Sequence, residues 1–578
     1  MVPGVSIPSG YPCQTLTFSQ SARHRLHRFI STHRIRVEVS KRTEIAGESV
    51  YLTPLTQIQG DTAILRSRDD DGASSVSLPR KTKLICTIGP SCCDFETLKA
   101  LAERGMNVAR LNMSHGSHEW HSSVIDTIRK INADLGYSVA IMVDTEGGSE
   151  VHLKGLKELV NVKEGQEVVM SIRESATTSE DALQIQVNFE GFPRDCQSGD
   201  ILMIDGGMAT LCVDMVRGPD VVCHVVDSGI ILPRASVTIR RNGTVVKSTD
   251  AFMPVICAKD WNDIDLAIEK EVDFIAVSFV RTADVLDNLR SYISAKTSRS
   301  IQIVAKIEAS ESLENLESII ASADTIMIAR GDLGAQISIT QVPKEQKRIV
   351  DACRAAGKAV IVASQLLESM HTLPTPTRAE VADISEAVRQ GADAVMLSGE
   401  TAIGRWPLRT LEVLRDVTVH AESRLPSQSV PQAGKQVVHD REGITNSICD
   451  AASSLANSLH AKAIFSFTET GATAFALSRM RPTASIFAFT DSTDIRLQCS
   501  MWWGIVPFRL DFSTDFETNI RRTLQYCKSQ GMCSTGDIII IVSHIQSYDN
   551  EYQETSSVVR TNKQLPVLGN SIQVRIVD

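Results

Sequence analysis

Eight short apolar runs alternate with helix-patterned segments in this chain, starting at Lys81. Each run has the length of one strand and the continuous apolar character of strands that a parallel sheet buries on both faces. The eight runs are Leu84–Ile88, Val108–Met113, Ala140–Thr145, Phe274–Phe279, Ile301–Ile307, Thr325–Ala329, Ala359–Ser364 and Ala394–Ser398. Eight strands with helical crossovers predict a (β/α)8 barrel. A doubly wound open α/β sheet is the alternative.

Charged residues follow two of these runs directly. Lys306 and Glu308 end the run that starts at Ile301, and Arg330 and Asp332 follow the next run. Because a buried parallel strand meets charge only where it reaches the mouth of a site, this set indicates an anionic substrate held partly through a divalent cation. A structural ion-pair network at the barrel rim is the alternative.

Nearly every other predicted strand also ends in polar residues. These are Asn112, Ser114, His115, Asp144, Thr145, Ser278, Ser364, Gln365, Ser398 and Glu400. The active site of a (β/α)8 barrel lies at the C-terminal ends of its strands. We therefore expect these side chains to gather at one rim.

An all-β insertion interrupts the barrel pattern after its third strand. Short strand-like pieces and turn-forming Gly, Asp and Asn residues fill this region. We expect the barrel to comprise residues 81–149 and 251–422, with a lid domain at 150–250 above the active site. An insertion without a catalytic part is the alternative.

A second α/β unit follows a polar linker over residues 423–442. Its predicted strands, within residues 443–578, are Ala463–Phe467, Ser485–Thr490, Ile505–Leu510, Ile538–Val542 and Ile572–Val577. The turn at Thr468 is rich in hydroxyl groups and glycine, and backbone amides of such a turn can hold a phosphate. Glu469 would repel an anion there, which favours an ordinary strand-to-helix connection.

The N-terminal segment differs in composition from the rest of the chain. Residues 1–37 contain no Asp or Glu and are rich in Arg, Ser and Thr, which is typical of an organellar transit peptide; a cytosolic tail is the alternative. Residues 38–80 are polar and predict an N-terminal arm or linker. The net charge of −10 argues against generic nucleic-acid binding, and no apolar run approaches the length of a membrane span.

From about Lys81 to the C-terminus, several long motifs resemble those of the pyruvate kinases. The matching segments are Lys81–Ser91, Gly105–Gly116, Lys259–Arg281, Ala305–Gly334, Ala363–Val388 and Gly391–Gly404. ARGDLGAQI and the basic N-terminus look most like the plastid branch of the plant family. The resemblance implies a barrel, an inserted β lid and a C-terminal α/β domain. It also implies phosphoryl transfer from phosphoenolpyruvate to ADP, giving pyruvate and ATP.

The resemblance further implies roles for the residues that match the family motifs. Arg110 and Lys306 correspond to the cations that hold the transferred phosphoryl group. The amides of Gly331 and Asp332 would receive the substrate carboxylate. Ser364 stands where the family usually has Thr, and its hydroxyl keeps a role near the proton path to the enolate.

Cation and nucleotide sites are implied in the same way. Glu308 and Asp332 match the Mg²⁺ ligands. The family's K⁺ ligands correspond here to Asn112, Ser114, Asp144 and Thr145. The family's nucleotide-binding residues correspond to His115, His152 and Lys259. A structural role is the alternative for His115, and a salt bridge with Asp260 is the alternative for Lys259.

The segment Asp144–His152 departs from the family pattern DTKGPEIR. Glu146 replaces a Lys, His152 replaces an Arg, and the segment is one residue longer. The departures leave open a weakly catalytic or structural subunit of a hetero-oligomer. Another Mg²⁺-dependent enolate enzyme, such as an aldolase or lyase, is a further alternative. We expect a homo- or hetero-tetramer with other pyruvate kinase subunits in the plastid stroma, with the cytoplasm as the alternative location.

Overall fold

The computed structural model describes most of the chain from residue 80 onward. The described residues are 37–39, 58–60, 80–147, 151–156, 159–173, 178–179, 182–204, 207–231, 235, 237–246, 254–423, 441–546 and 568–578. The predicted transit segment 1–37, except residue 37, lies outside them. So do most of the predicted arm at 38–80 and of the predicted linker at 423–442.

Eight parallel strands close into a barrel, which confirms the predicted fold class. In chain order they are Lys83–Thr87 (β1), Val108–Asn112 (β2), Ala140–Asp144 (β3), Phe274–Val277 (β4), Gln302–Ile307 (β5), Thr325–Ala329 (β6), Ala359–Ala363 (β7) and Ala394–Leu397 (β8). Each strand pairs with the next, and β8 pairs with β1 to close the ring. The open doubly wound sheet is therefore excluded.

Helices follow the strands around the outside of the barrel. Their bounds are Phe95–Glu103, His118–Leu135, Ala258–Glu269, Ala283–Lys296, Ser310–Glu314, Leu316–Ser322, Arg330–Gln336, Val342–Ala356, Arg378–Gln390, Gly399–Ala402 and Pro407–Glu422. The helix-patterned segment that the sequence predicts between β5 and β6 is split into two helices that meet at Asn315. The Asn315 amide donates to the carbonyls of Arg281 and Glu311, and this side chain competes with regular helix bonding.

Alternating strand residues build two layers of barrel core. Ile85, Phe274 and Met327 belong to the cluster that includes the barrel interior, whereas Leu84 and Ile326 pack in the cluster beneath the helices. All five are fully buried. Charged side chains can therefore enter the barrel only at its ends, where the apolar layers stop.

The insertion between β3 and β4 is an all-β domain, as predicted. Its strands are Leu153–Lys154, Val160–Val162, Glu167–Ser171, Thr178–Ser179, Ala182–Val187, Ile201–Ile204, Ala209–Arg217, Asp220–Asp227, Gly229–Ile231, Val237–Arg241 and Thr244–Val245. Nine of them form one sheet, and Val160–Val162 pairs separately with Gly229–Ile231. A buried apolar cluster of its own packs this domain.

The C-terminal unit is a second α/β layer structure. Its strands are Ala463–Phe467, Ser485–Thr490, Ile505–Leu510, Ile538–Gln546 and Leu568–Ile576, and its longer helices are Arg441–Ser458, Ala472–Arg479 and Phe516–Ser529. The last two strands pair antiparallel, and the others are parallel. Val37–Val39, which spans the predicted boundary between the transit segment and the arm, and Ile58–Gly60, from the arm, add one strand to each edge of this sheet.

Candidate active site

Lys306, at the end of β5, lies at the centre of the charged cluster on the C-terminal rim. Its Nζ lies 3.1 Å from Asp144 Oδ1 and 2.9 Å from Glu308 Oε1, and donates to Ser278 Oγ at 2.7 Å. Burial by itself would lower the pKa of Lys306, but the two carboxylates outweigh it and raise the pKa above its ordinary value. Lys306 is therefore a fixed cation at neutral pH.

Asp144, at the end of β3, is fully buried between two cations. Arg110 Nε lies 2.7 Å from Asp144 Oδ2, and Arg110 also donates to Thr87 Oγ1 at 3.0 Å. Burial would raise the pKa of Asp144, but Lys306 and Arg110 lower it below its ordinary value. The ionised Asp144 thus orients both predicted phosphoryl-binding cations toward one place.

Glu308 is buried beside Lys306 and close to Asp332. Burial raises the pKa of Glu308 to about 7, Lys306 opposes this shift, and the negative charge of Asp332 adds to it. Glu308 Oε2 accepts from the backbone N–H of Phe279 at 2.7 Å. Oε1 is buried and lies 2.9 Å from Lys306 Nζ. A carboxylate oxygen in this state, next to a second carboxylate, fits a Mg²⁺ ligand pair.

Ser364 and Gly331 face each other across the ends of β7 and β6. A Cβ built on Gly331 would lie 3.6 Å from Ser364 Cβ and 3.7 Å from its Oγ. Ser364 has a φ of 71° and Gln365 a φ of 54°, so two consecutive side-chain-bearing residues adopt the left-handed region. Arg330 holds this turn, because its Nη2 donates to the Ser364 carbonyl at 2.6 Å.

The four predicted K⁺ ligands come from the adjacent ends of β2 and β3. Asn112 pairs in register with Asp144. Asn112 Oδ1 accepts from the Ser114 N–H at 3.2 Å, and Thr145 Oγ1 accepts from the Ser278 N–H at 3.2 Å. The fold thus brings hydroxyl, amide and carboxylate oxygens to one section of the rim, which is the donor chemistry that a hard cation requires.

The predicted nucleotide residues lie in two parts of the chain. Lys259 Nζ donates to the Met113 carbonyl and to Asp263, both at 2.7 Å, and lies 3.4 Å from Glu146. Its salt-bridge partners are thus Asp263 and Glu146 rather than the Asp260 considered from the sequence. Asp260 instead accepts from backbone amides, among them that of Glu146 at 3.0 Å.

His115 and His152 occupy different settings. His115 follows β2, is exposed, and its carbonyl lies 2.8 Å from His121 Nε2. His152 belongs to the inserted domain, where its N–H donates to Asn188 Oδ1 at 2.8 Å and its Nδ1 lies 2.8 Å from Asn188 Nδ2. The amide nitrogen donates to Nδ1, which leaves the proton of a neutral His152 ring on Nε2.

Arg240, a residue that the sequence did not single out, joins the inserted domain to the catalytic rim. Its Nη2 donates to the carbonyls of Ala335 at 2.6 Å and Ile337 at 3.1 Å, at the C-terminal end of the helix whose first turn carries Asp332. A guanidinium there satisfies carbonyls that the helix leaves free. No spacing or motif signals such a contact in advance.

Comparison with known proteins identifies the family that has this arrangement of residues at the barrel rim. The family model described as pyruvate kinase, barrel domain, matches residues 79–411, and the pyruvate kinase alpha/beta domain matches residues 446–559. The chain belongs to the pyruvate kinase family. This pyruvate kinase assignment confirms the resemblance seen in the motifs.

Curated relatives and a solved structure agree with the assignment. The chain is 46% identical over 505 residues to the chloroplastic pyruvate kinase isozyme A of Ricinus communis, covering 86% of this chain and 85% of that one. It is 47% identical to isozyme A of Nicotiana tabacum over 496 residues, or 85% and 83% of the two chains. A crystal structure of a Cryptosporidium parvum pyruvate kinase has a TM-score of 0.70 at 34% identity, covering 80% of this chain and 94% of that one.

The family fixes the reaction. The chain is a phosphotransferase of the pyruvate kinase type, which transfers a phosphoryl group from phosphoenolpyruvate to ADP. The comparisons favour neither a structural subunit nor an aldolase or lyase. Pyruvate kinases are generally Mg²⁺- and K⁺-dependent and typically oligomeric. Among the helices of the described residues, none is long and apolar enough to cross a membrane.

Proposed function

We propose that the cluster around Lys306 carries out the phosphoryl transfer in this chain. The observation that supports this most directly is the position of Lys306 Nζ, about 3 Å from two buried carboxylates and beside a third acidic residue. A loose phosphoryl transition state needs charge neutralisation and positioning more than covalent help. A fixed, desolvated cation supplies both without reorganising during the reaction.

Arg110 and Lys306 bind the phosphoryl group of phosphoenolpyruvate. Asp144 holds both cations, so neither has to move when the substrate arrives. The amides of Gly331 and Asp332, at the first turn of a helix, receive the substrate carboxylate. When the bond to phosphorus breaks, Lys306 stabilises the enolate oxygen, and Ser364 helps deliver the proton that gives pyruvate.

Glu308 and Asp332 hold Mg²⁺. The Glu308 carboxylate is buried close to the negative charge of Asp332, and this supports the role. When bound, the ion neutralises the oxygens of the transferred phosphoryl group. Arg240 positions Asp332 indirectly, because it holds the far end of the same short helix.

The K⁺ ion is held by the oxygens of Asn112, Ser114, Asp144 and Thr145. ADP, and then ATP, binds on the side of His115, His152 and Lys259. Because Lys259 is paired with Asp263 and Glu146, a nucleotide phosphate must compete with these carboxylates for the ammonium group. We therefore infer weaker phosphate binding than a free Lys would give.

We further propose the domain boundaries, assembly and location inferred from the sequence. Residues 81–149 and 251–422 form the barrel, 150–250 the lid, 423–442 a linker and 443–578 the C-terminal domain. Residues 1–37 are a transit peptide that directs the chain to the plastid stroma, as the chloroplastic relatives support. The chain assembles as a homo- or hetero-tetramer with other pyruvate kinase subunits.

The test is pyruvate formation by the purified chain with phosphoenolpyruvate, ADP, Mg²⁺ and K⁺. Turnover that needs both cations supports the proposal. No turnover by the chain alone, with activity restored by adding a sister subunit, supports an obligate hetero-oligomer. In that mixture, an unchanged rate with a Lys306→Met chain would refute catalysis by this subunit.

A further inference from the structure

Two glutamates and a histidine meet at the barrel rim, outside the cluster around Lys306. Glu368 and His371 begin and end the 3-10 helix after β7, and Glu400 lies in the short helix after β8. One ligand atom from each residue lies within 4.8 Å of the other two. Side chains three residues apart on a 3-10 helix eclipse each other, so Glu368 and His371 project together.

The imidazole of His371 sits in a cradle that only glycine allows. A Cβ at Gly399 would lie 2.4 Å from His371 Cε1 and 2.6 Å from its Nε2. Nε2 is buried, lies 3.6 Å from Glu368 Oε1, and has no hydrogen-bond partner among the described residues. A buried ring nitrogen in this state lacks either a hydrogen-bond partner or a metal ion.

Glu400 provides a fixed carboxylate on the other side of the cluster. It is fully buried, and its two oxygens accept from the amides of Leu367 at 3.2 Å and Ser398 at 2.6 Å. Each oxygen keeps a further lone pair. Glu368 is exposed and gives access from solvent.

We propose that Glu368, His371 and Glu400 bind a divalent transition-metal ion, for which Zn²⁺ is the probe. Imidazole with carboxylates favours Zn²⁺ and its neighbours over Mg²⁺ or K⁺, which prefer oxygen alone. In a tetrahedral shell, bonds of about 2.0–2.2 Å place two ligand atoms of one ion roughly 3.3–3.6 Å apart. Rotation of the exposed Glu368 brings its carboxylate up to about 1.5 Å closer to the other two ligands, and water completes the shell.

The ion would connect the loop after β7 to the loop after β8. The first loop begins at Ser364, and the amide of Leu367 within it already bonds to Glu400. Binding to the folded chain stabilises it by mass action. Zn²⁺ should therefore raise the thermal midpoint at Mg²⁺ concentrations that already saturate the Lys306 cluster.

The experiment measures Zn²⁺ binding to the full chain by equilibrium dialysis in saturating Mg²⁺, with Co²⁺ absorption to report imidazole coordination. The variants are Glu368→Gln and His371→Gln, with His224→Gln as the matched control. His224 also pairs with a carboxylate, Asp214 at 2.7 Å, but lies in the inserted domain. Sites at cysteines remain in every variant and cancel in the comparison.

We expect the wild type and the His224 variant to bind one more equivalent than the other two, or at least tenfold more tightly. The Co²⁺ spectrum of the His371 variant should lose its imidazole contribution. Equal Zn²⁺ binding by all four proteins would overturn the proposal and leave an ordinary His–Glu ion pair. If the His371 variant fails to fold, Glu368→Gln decides, because that side chain is exposed and Mg²⁺-supported turnover reports its fold.

Discussion

Replacing Lys306 by Met tests the centre of the proposed site. A charge about 3 Å from a phosphoryl oxygen, at an effective dielectric constant near 20, is worth about 5 kcal/mol. Part of that attraction already exists in the bound substrate, so only the remainder lowers the barrier. Loss of one preorganised donor costs about 3–4 kcal/mol, and we therefore expect kcat to fall about 10²- to 10³-fold.

The same substitution removes the shared partner of two buried carboxylates. An uncompensated buried charge costs up to about 3–5 kcal/mol of stability. Asp144 keeps Arg110, and Glu308, whose pKa is already raised to about 7, takes up a proton at neutral pH. The stability loss should therefore stay below that range, and the variant should fold.

Pyruvate formation measured at saturating phosphoenolpyruvate, ADP, Mg²⁺ and K⁺ gives kcat, and circular dichroism checks the fold. Lys83→Met is the matched control, because Lys83 is also buried in a barrel strand but contacts the carbonyl of Ile505 in the C-terminal domain. This control should lose stability and keep most of its turnover. A folded Lys306→Met chain with more than a tenth of wild-type kcat would refute the assigned role.

Three further predictions test separate parts of the structure. Glu308→Gln should raise the Mg²⁺ concentration at half-maximal activity at least tenfold, and an unchanged Mg²⁺ titration would remove Glu308 from the site. Arg240→Ala should raise the same concentration about three- to tenfold by loosening the helix that carries Asp332. Arg241→Ala should not, because Arg241 pairs with Asp200 inside the inserted domain; equal effects would count against a specific role for Arg240. Burial raises the pKa of Asp273 to about 6, although Arg299 opposes the shift. Protonation of Asp273 therefore contributes folding stability that is complete below about pH 4 and is lost as pH rises through 6. Between pH 4 and 7 the urea midpoint should therefore fall relative to that of Asp273→Asn, by the equivalent of about 2–3 kcal/mol; parallel profiles would exclude this titration.

The sequence alone predicted the eight strands to within one or two residues, and with them the barrel and the inserted β domain. Continuous apolar runs and helical periodicity are local properties, so they can be recognised without knowing the rest of the fold. The same reasoning failed at Asn315, where a side chain bonds to the carbonyl of Arg281, which belongs to another part of the chain. The motifs also located the rim residues, because their chemistry stands directly after each strand.

Only the tertiary structure decided which of these residues form ion pairs with one another. It placed Asp144 between Arg110 and Lys306. It paired Lys259 with Asp263 and Glu146. It also placed the Arg240 guanidinium against the end of the helix that carries Asp332. It also gathered Glu368, His371 and Glu400 into one cluster. These contacts depend on the closure of the ring and on the seating of the inserted domain, which set distances between residues far apart in sequence. The local sequence pattern fixes whether each segment is a helix or a strand. The electrostatic partner of each charged side chain is fixed only when the barrel closes and the inserted domain packs against it.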